Sequence, residues 1–149
     1  MAIYMKFKGA RSGEIKGSVS TSGAVDWIEI HSLEFGLGSP FDAITGQTTG
    51  RRIARPLKIV KPLDRSTPLL INACDVNDSA EVTFVYLKEG GDHKNFFTIA
   101  LTKAMIRDIN HLGVYSGSAT ETLTLSYVTS EITWVTGGIV ASLDWSRTA

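Results

Sequence analysis

A chain of 149 residues has the length of one ordinary domain, 1–149, and can bury roughly two thirds of its unfolded surface without disulfides or metals. Hydrophobic residues make up 43% and charged residues 20%, a composition that excludes intrinsic disorder. Fifteen Lys plus Arg balance fifteen Asp plus Glu, so there is no net attraction for nucleic acid or anionic lipid, and a nucleic-acid role would need a local patch.

The N-terminus lacks a basic region followed by an apolar stretch and a small-residue cleavage site, and no run approaches 18 apolar residues. No membrane insertion is expected. Assembly is expected in the cytoplasm, and any export must use a route that reads no N-terminal signal. The single cysteine, Cys74, has no intramolecular partner and sits among short apolar residues, which predicts a buried thiol.

Period-two patterning begins at once. Ile3, Met5 and Phe7 alternate with Ala2, Tyr4 and Lys6, the signature of a half-buried strand. In the next strand Ile28 and Ile30 share one face while Leu33 and Phe35 fall on the other. The apolar phase therefore switches near His31-Ser32, as a bulge or a crossing between packed sheets requires. Residues 36 to 50 hold Gly36, Gly38, Pro40, Gly46 and Gly50 with little periodicity, and read as one long exposed loop, a rare feature without a role. Leu57 and Ile59 continue a strand, with Pro56 at its start or on a sheet edge because it cannot donate to a ladder.

Ser66-Thr67-Pro68 predicts a helix over about 67–76, its hydroxyl capping free amides and its proline in the first turn. Leu69, Leu70, Ala73 and Cys74 supply a short apolar face, too short to be stable without a sheet beneath it. Val82, Phe84 and Tyr86 mark the following strand, Glu89-Gly90-Gly91-Asp92 a turn, and Phe97 through Ile109 a strand longer than ten residues. A connection from His111 to Ser118 leads to a last long strand from Leu123 through Tyr127 toward Ile132 and Trp134, with Thr122, Thr124 and Ser126 opposite. Seven or so strands and one short helix define an all-β barrel or two-sheet sandwich without internal repeats.

Catalytic chemistry finds little footing. His31, His93 and His111 lack metal-site spacing, and one cysteine offers zinc no thiolate set, so no metal or other cofactor is expected. Ser32, His31 and Asp26 could be written as a triad, but neighbouring strand residues point to opposite faces. Gly36-Leu37-Gly38 lacks the helix of a dinucleotide fingerprint, and the chain is not expected to be an enzyme. Gly50-Arg51-Arg52 with Arg55, Lys58 and Lys61 is the one basic cluster. Without interleaved aromatics it reads as a solvated or interface-paired strand face, with Glu29, Glu34 and Asp64 as partners.

An ordered series of segments carries a resemblance: Ala2-Ile3-Tyr4-Met5-Lys6-Phe7, Trp27-Ile28-Glu29-Ile30, Gly50-Arg51, Lys61 to Leu70 with Asp64, Ser66 and Pro68, Phe97 to Ile109, and Glu121 through Tyr127 to Ile132. From Met1 to about Val135 the chain resembles the haemolysin-coregulated protein family, the tube proteins of type VI secretion. Residues 9 to 24 and Leu143-Asp144-Trp145-Ser146 follow the family pattern loosely, and no added toxin domain is expected. The resemblance implies a compact β-barrel with a lateral helix that closes into a homo-hexameric ring. Stacked rings would form the inner tube of a contractile apparatus, with sheath, baseplate and tip spike proteins as partners and effector proteins in the lumen.

It further implies secretion of the tube itself, and ring-on-ring contacts through Gly36, Gly38, Pro40, Gly46, Gly50 and Arg51. Thr98, Thr102, Thr122, Thr124 and Ser126 are candidates for a polar lumen wall, although ordinary β propensity on a wet face also accounts for them. Two other readings stay open. A monomeric β-sandwich binding module predicts a ligand cleft near exposed aromatics, and a phage-type tail tube subunit shares the same assembly logic.

Overall fold

The computed structural model describes residues 1–21, 23–88 and 94–146. Among them lie β1 (Ala2–Gly9), β2 (Gly13–Ile15), β3 (Ile28–Ile30), β4 (Ser32–Glu34), β5 (Leu37–Gly38), β6 (Ile53–Ala54), β7 (Leu57–Pro62), α1 (Thr67–Asp75), β8 (Ala80–Leu87), β9 (Asn95–Leu112), β10 (Thr120–Ser126), β11 (Thr129–Trp134) and β12 (Ile139–Asp144). The predicted Glu89–Asp92 turn and His93 fall outside the described residues.

All pairings among the described residues are antiparallel; seven strands follow the path β2-β1-β8-β9-β10-β7-β4, β3 joins it on β1, β11 joins it on β9 and carries β12, and β5 pairs with β6 apart from it. β9 is the hinge of this path. Its first part pairs with β8 on one side and β11 on the other, and its second part pairs with β10. The exchange from β11 to β10 falls beside Lys103, whose φ of 50° is a left-handed conformation seldom taken by a long side chain outside a bulge. One 18-residue strand can thus serve two packed sheets.

The alternation in β1 is realised as expected: Met5 and Phe7 are fully buried and face Phe84 and Val82 of β8 across the ladder. Burying a side chain of that size contributes about 1.5–3 kcal/mol. The phase switch at His31 is also realised. β3 pairs with β1 while β4 pairs with β7, and the His31 N–H donates to the Val60 carbonyl at 2.7 Å where the chain crosses. His31 itself is exposed.

The C-terminal half of β8 is buried on both faces, whereas Glu81 near its start is exposed. Val82 and Phe84 enter the main core, whereas Val85 and Leu87 pack with Ala24 beneath the segment that carries Val19 and Trp27. That covering segment is held by backbone bonds from Gly17 to Asp26 and from Val19 to Trp27. Asp78, 2% exposed, closes the opposite end of β8. Its carboxylate accepts the Arg11 N–H at 3.0 Å, the Ser12 N–H at 2.9 Å and the Ser12 hydroxyl at 2.7 Å, and so fixes the β1–β2 turn.

Several expectations need correction. Twelve strands stand among the described residues where seven or so were expected: the short β2, β5 and β6 are added, the strand through His31 divides into β3 and β4, and the predicted last strand breaks after Ser126 and returns as the β11–β12 hairpin, closed by Gly137 and Gly138 at φ 85° and 64°. Ser66 makes no capping bond to α1; its hydroxyl donates instead to Asp64 Oδ1. Only Leu70, Ala73 and Thr67 of α1 are buried, Leu69 stands in solvent, and the helix leans on β9. Cys74 is half-buried rather than fully buried, with Sγ donating to the Ile106 carbonyl at 3.4 Å. His111 belongs to β9, not to a connection, because the strand runs on to Leu112.

Candidate functional site

Three features stand apart from the apolar packing: a ribbon in solvent, an outward hydroxyl-rich face, and a charged cluster inside the core. The ribbon occupies the segment expected to be an irregular loop. Leu37–Gly38 pairs with Ile53–Ala54, Phe41 bridges to Thr48, and the Thr49 N–H donates to the Pro40 carbonyl at 3.0 Å, so residues 36–55 form a two-stranded hairpin. Glycine and proline hide this pairing because they break the alternation by which strands are read.

At its tip the Asp42 carboxylate accepts the Ile44 and Thr45 N–H groups, while the Gly46 N–H donates to the Asp42 carbonyl at 2.7 Å. Gly46 has φ 74°, which this turn requires and most side chains resist. At the base, Gly36 and Gly38 lie against the Arg55 guanidinium, where an added Cβ would meet it at 3.2 and 3.3 Å. The Arg52 guanidinium stacks 4.5 Å over the Trp145 ring and donates to the Asp144 carbonyl at 3.0 Å, and the Tyr127 hydroxyl donates to the Arg55 carbonyl at 3.1 Å. A firmly seated ribbon nevertheless leaves Phe41 66%, Ile44 95% and Ile53 55% exposed. Gly50 rests against the Pro40 ring and Arg51 is exposed.

The candidate wall residues lie in two groups on the outer faces of the sheets. Thr98 and Thr102 of β9 stand opposite Thr133 and Thr129 of β11, with the Thr102 and Thr129 hydroxyls in contact. Thr122, Thr124 and Ser126 point away from the core, opposite to Glu121, Leu123 and Leu125 of the same strand. Charges of both signs lie among the second group: Thr124 is flanked by Asp108 and Lys58, and Ser126 accepts from Arg107 Nε at 2.8 Å.

The charged cluster is the feature that the sequence reading missed. Lys61, expected on a basic strand face, is fully buried with its side chain opposite to Lys58. Its ammonium donates to Glu121 Oε1 at 2.5 Å, the Pro62 carbonyl at 2.9 Å and Asp64 Oδ1 at 3.2 Å, and the Thr67 hydroxyl donates to Glu121 Oε1 at 3.1 Å. The cluster thus ties β7, β10 and the start of α1 together. No hydrogen bond of normal geometry reaches Glu121 Oε2, although His111 Nε2 approaches it to 2.8 Å. The signal was present in phase: Lys61 follows the inward Leu57 and Ile59, and Glu121 precedes the inward Leu123 and Leu125, so two opposite charges occupy core-facing positions.

The expected partner Asp64 is thus confirmed for Lys61, while Arg52 and Arg55 serve the ribbon base, so the basic residues do not form one face. Asp26 is occupied by Arg65 at 2.7 Å. Burial pushes the Tyr127 phenol up, and burial, then Asp108 and Asp75, push the Cys74 thiol up; both are neutral groups in neutral solution. Among the described residues no group of three His, Cys, Asp or Glu side chains could hold a metal.

Comparison with known proteins adds to this geometry. The family model described as "Type VI secretion system effector, Hcp" matches residues 4–135. The chain is 26% identical to the Major exported protein of Pseudomonas aeruginosa over 161 aligned residues, covering 95% of this chain and 94% of that protein. It is similar to the structure of Hcp1 from the E. coli EAEC 042 pathovar, with a TM-score of 0.87, 26% identity and coverage of 97% and 99%. A crystal structure of another Hcp protein matches with a TM-score of 0.89 at 24% identity over 97% and 99% of the two chains, which bears on the fold. The β-rich fold with its single lateral helix and the match along most of its length place this chain in the type VI secretion Hcp family, whose members are secreted structural tube proteins.

Proposed function

We propose that this chain, as one 1–149 unit, closes into a six-membered ring, and that rings stack through the 36–55 ribbon to make the inner tube of a type VI apparatus. The observation that carries the stacking half is the ribbon itself. It is fixed at base and tip by directed hydrogen bonds, yet it holds Phe41, Ile44 and Ile53 in water. Ordered apolar groups left in solvent mark a surface that another protein covers. A second copy presenting the same ribbon to a matching ring satisfies that need, and head-to-tail repetition extends the contact into a tube.

Ring closure draws on the free edges of the sheets. β12 ends one side with Ile139 67% and Val140 51% exposed, and an unpaired edge of this kind is stable in solution when a neighbour covers it. Within the ring, Thr98, Thr102, Thr122, Thr124 and Ser126 are the proposed wall of a polar lumen that holds effector proteins without chemistry. Assembly in the cytoplasm, enclosure by a sheath on a baseplate, and expulsion with a tip spike complete the reading. Paired substitution F41E/I44E tests the stacking surface. Negative-stain images of single rings without tubes are expected, and tubes of normal length would remove the ribbon from the mechanism.

A further inference from the structure

The tube reading gives no role to the buried cluster around Lys61. Its charges do not balance: one ammonium faces two carboxylates, Glu121 with its side chain fully buried and Asp64 with its side chain 10% exposed. An uncompensated buried negative charge is costly unless a cation or a proton joins it. Glu121 Oε2 is buried and receives no hydrogen bond of normal geometry, and His111 Nε2 lies 2.8 Å from it while 41% of the His111 side chain touches solvent. Histidine is the side chain that ordinarily changes charge between pH 5 and 8.

We propose that His111 is a proton-operated latch: its protonated ring closes onto Glu121 Oε2, neutralises the cluster and fastens the end of the β9–β10 hairpin to the core. This goes beyond the tube reading and does not depend on it. The groups that face His111 are Glu121 from β10 and Asp75 from α1, which shares a surface depression with His111, Cys74, Ile71 and Ile109; Lys61 and Asp64 lie behind Glu121. The Cys74 thiol is a neutral group in neutral solution, and the Lys61 charge is already shared between Glu121 and Asp64.

The latch therefore holds on the acid side and releases as pH rises. What it controls is how firmly the apolar hairpin end is held, where Leu112 is 60%, Val114 52% and Tyr115 fully exposed. Acid conditions would present this end as a rigid surface, and alkaline conditions as a loosened one.

Amide hydrogen exchange on the full-length chain, wild type against His111→Gln, tests the proposal at pH 5.5 and pH 7.5 with rates corrected for intrinsic exchange. In the wild type, protection of residues 109–112 and 120–122 should rise roughly tenfold on acidification, about 1.4 kcal/mol, the lower end for a hydrogen bond to a charged group because the ring is partly in solvent. The variant should lose that increment, while β1 and β8 behave alike in both proteins. An equal pH response in His111→Gln, or a wild-type gain spread evenly over β1 and β8, would overturn the latch. The half-exposed position makes the variant compatible with folding, and thermal melting at pH 7.5 checks this directly.

Discussion

Replacing Lys61 by methionine removes the one cation from a buried cluster and leaves Glu121 and Asp64 facing each other across the space it filled. Two unit charges 4 Å apart interact by about 4 kcal/mol at an effective dielectric near 20, and breaking a buried pair by deleting one partner costs about 3–5 kcal/mol. Methionine matches the aliphatic stem of lysine, so little of the loss can come from packing. Glu121→Leu should cost less. There Lys61 keeps Asp64 and the Pro62 carbonyl as acceptors, so about 2–3 kcal/mol is expected. The double variant K61M/E121L replaces the pair by apolar groups and should lie within about 1–2 kcal/mol of wild type, because such replacements are often neutral. Urea unfolding of all four proteins at one fixed concentration gives the cycle, with a favourable coupling of at least about 2 kcal/mol expected. A loss below about 1 kcal/mol for K61M, or a double variant less stable than K61M alone, would refute the reasoning.

Three further outcomes follow from the same geometry. In Gly9→Ala the new Cβ would lie 2.2 Å from Asp78 Oδ2, so the carboxylate must leave its three Arg11 and Ser12 donors; a loss of about 2–3 kcal/mol is expected in thermal melting, and an unchanged midpoint would contradict it. Burial of Asp78 works to raise its carboxyl, but the bonds from Ser12 and Arg11 outweigh it and hold the group below the usual carboxylate range. Its contribution is therefore present above about pH 4 and lost as pH falls through the lowered folded value, so the wild-type advantage over Asp78→Asn should shrink as pH falls below about 4. A difference that is constant with pH would count against this assignment. A bulky charged residue inserted within the exposed stretch 43–50 should block stacking and leave single rings and unfolding midpoint unchanged; its readout is tube length by electron microscopy.

Period-two reasoning read the strands well wherever one face is dry. Ile3, Met5 and Phe7 and the first part of the long strand, Ile99 and Leu101, obey it, because a one-residue slip would turn their apolar side chains into water; beyond Lys103 the phase changes and Ala104 and Ile106 turn inward instead of Met105. It failed where burial is two-sided or absent. Val85 and Leu87 are covered by a loop whose position no local pattern encodes, and the ribbon pairs through backbone bonds among glycines and prolines. The β11–β12 hairpin was legible in Gly137-Gly138, a turn signal passed over because Ile139 and Val140 are exposed and give no alternation. Lys61 and Glu121 were hidden for another reason: their inward phase was visible, but a charge in the core makes sense only once its partner, 60 residues away, is known. The stacking candidates proved to be parts of one structural unit, whereas the wall candidates fall into two groups whose common purpose depends on the assembly.

That assembly is the central claim, and native mass measurement of the purified chain tests it most directly. The account predicts a closed complex of about 97 kDa, six copies of the 16.1 kDa chain, with heavier species in six-copy steps as concentration rises. A single species at 16.1 kDa at high concentration would contradict it and leave the exposed ribbon to be explained by a partner other than the chain itself.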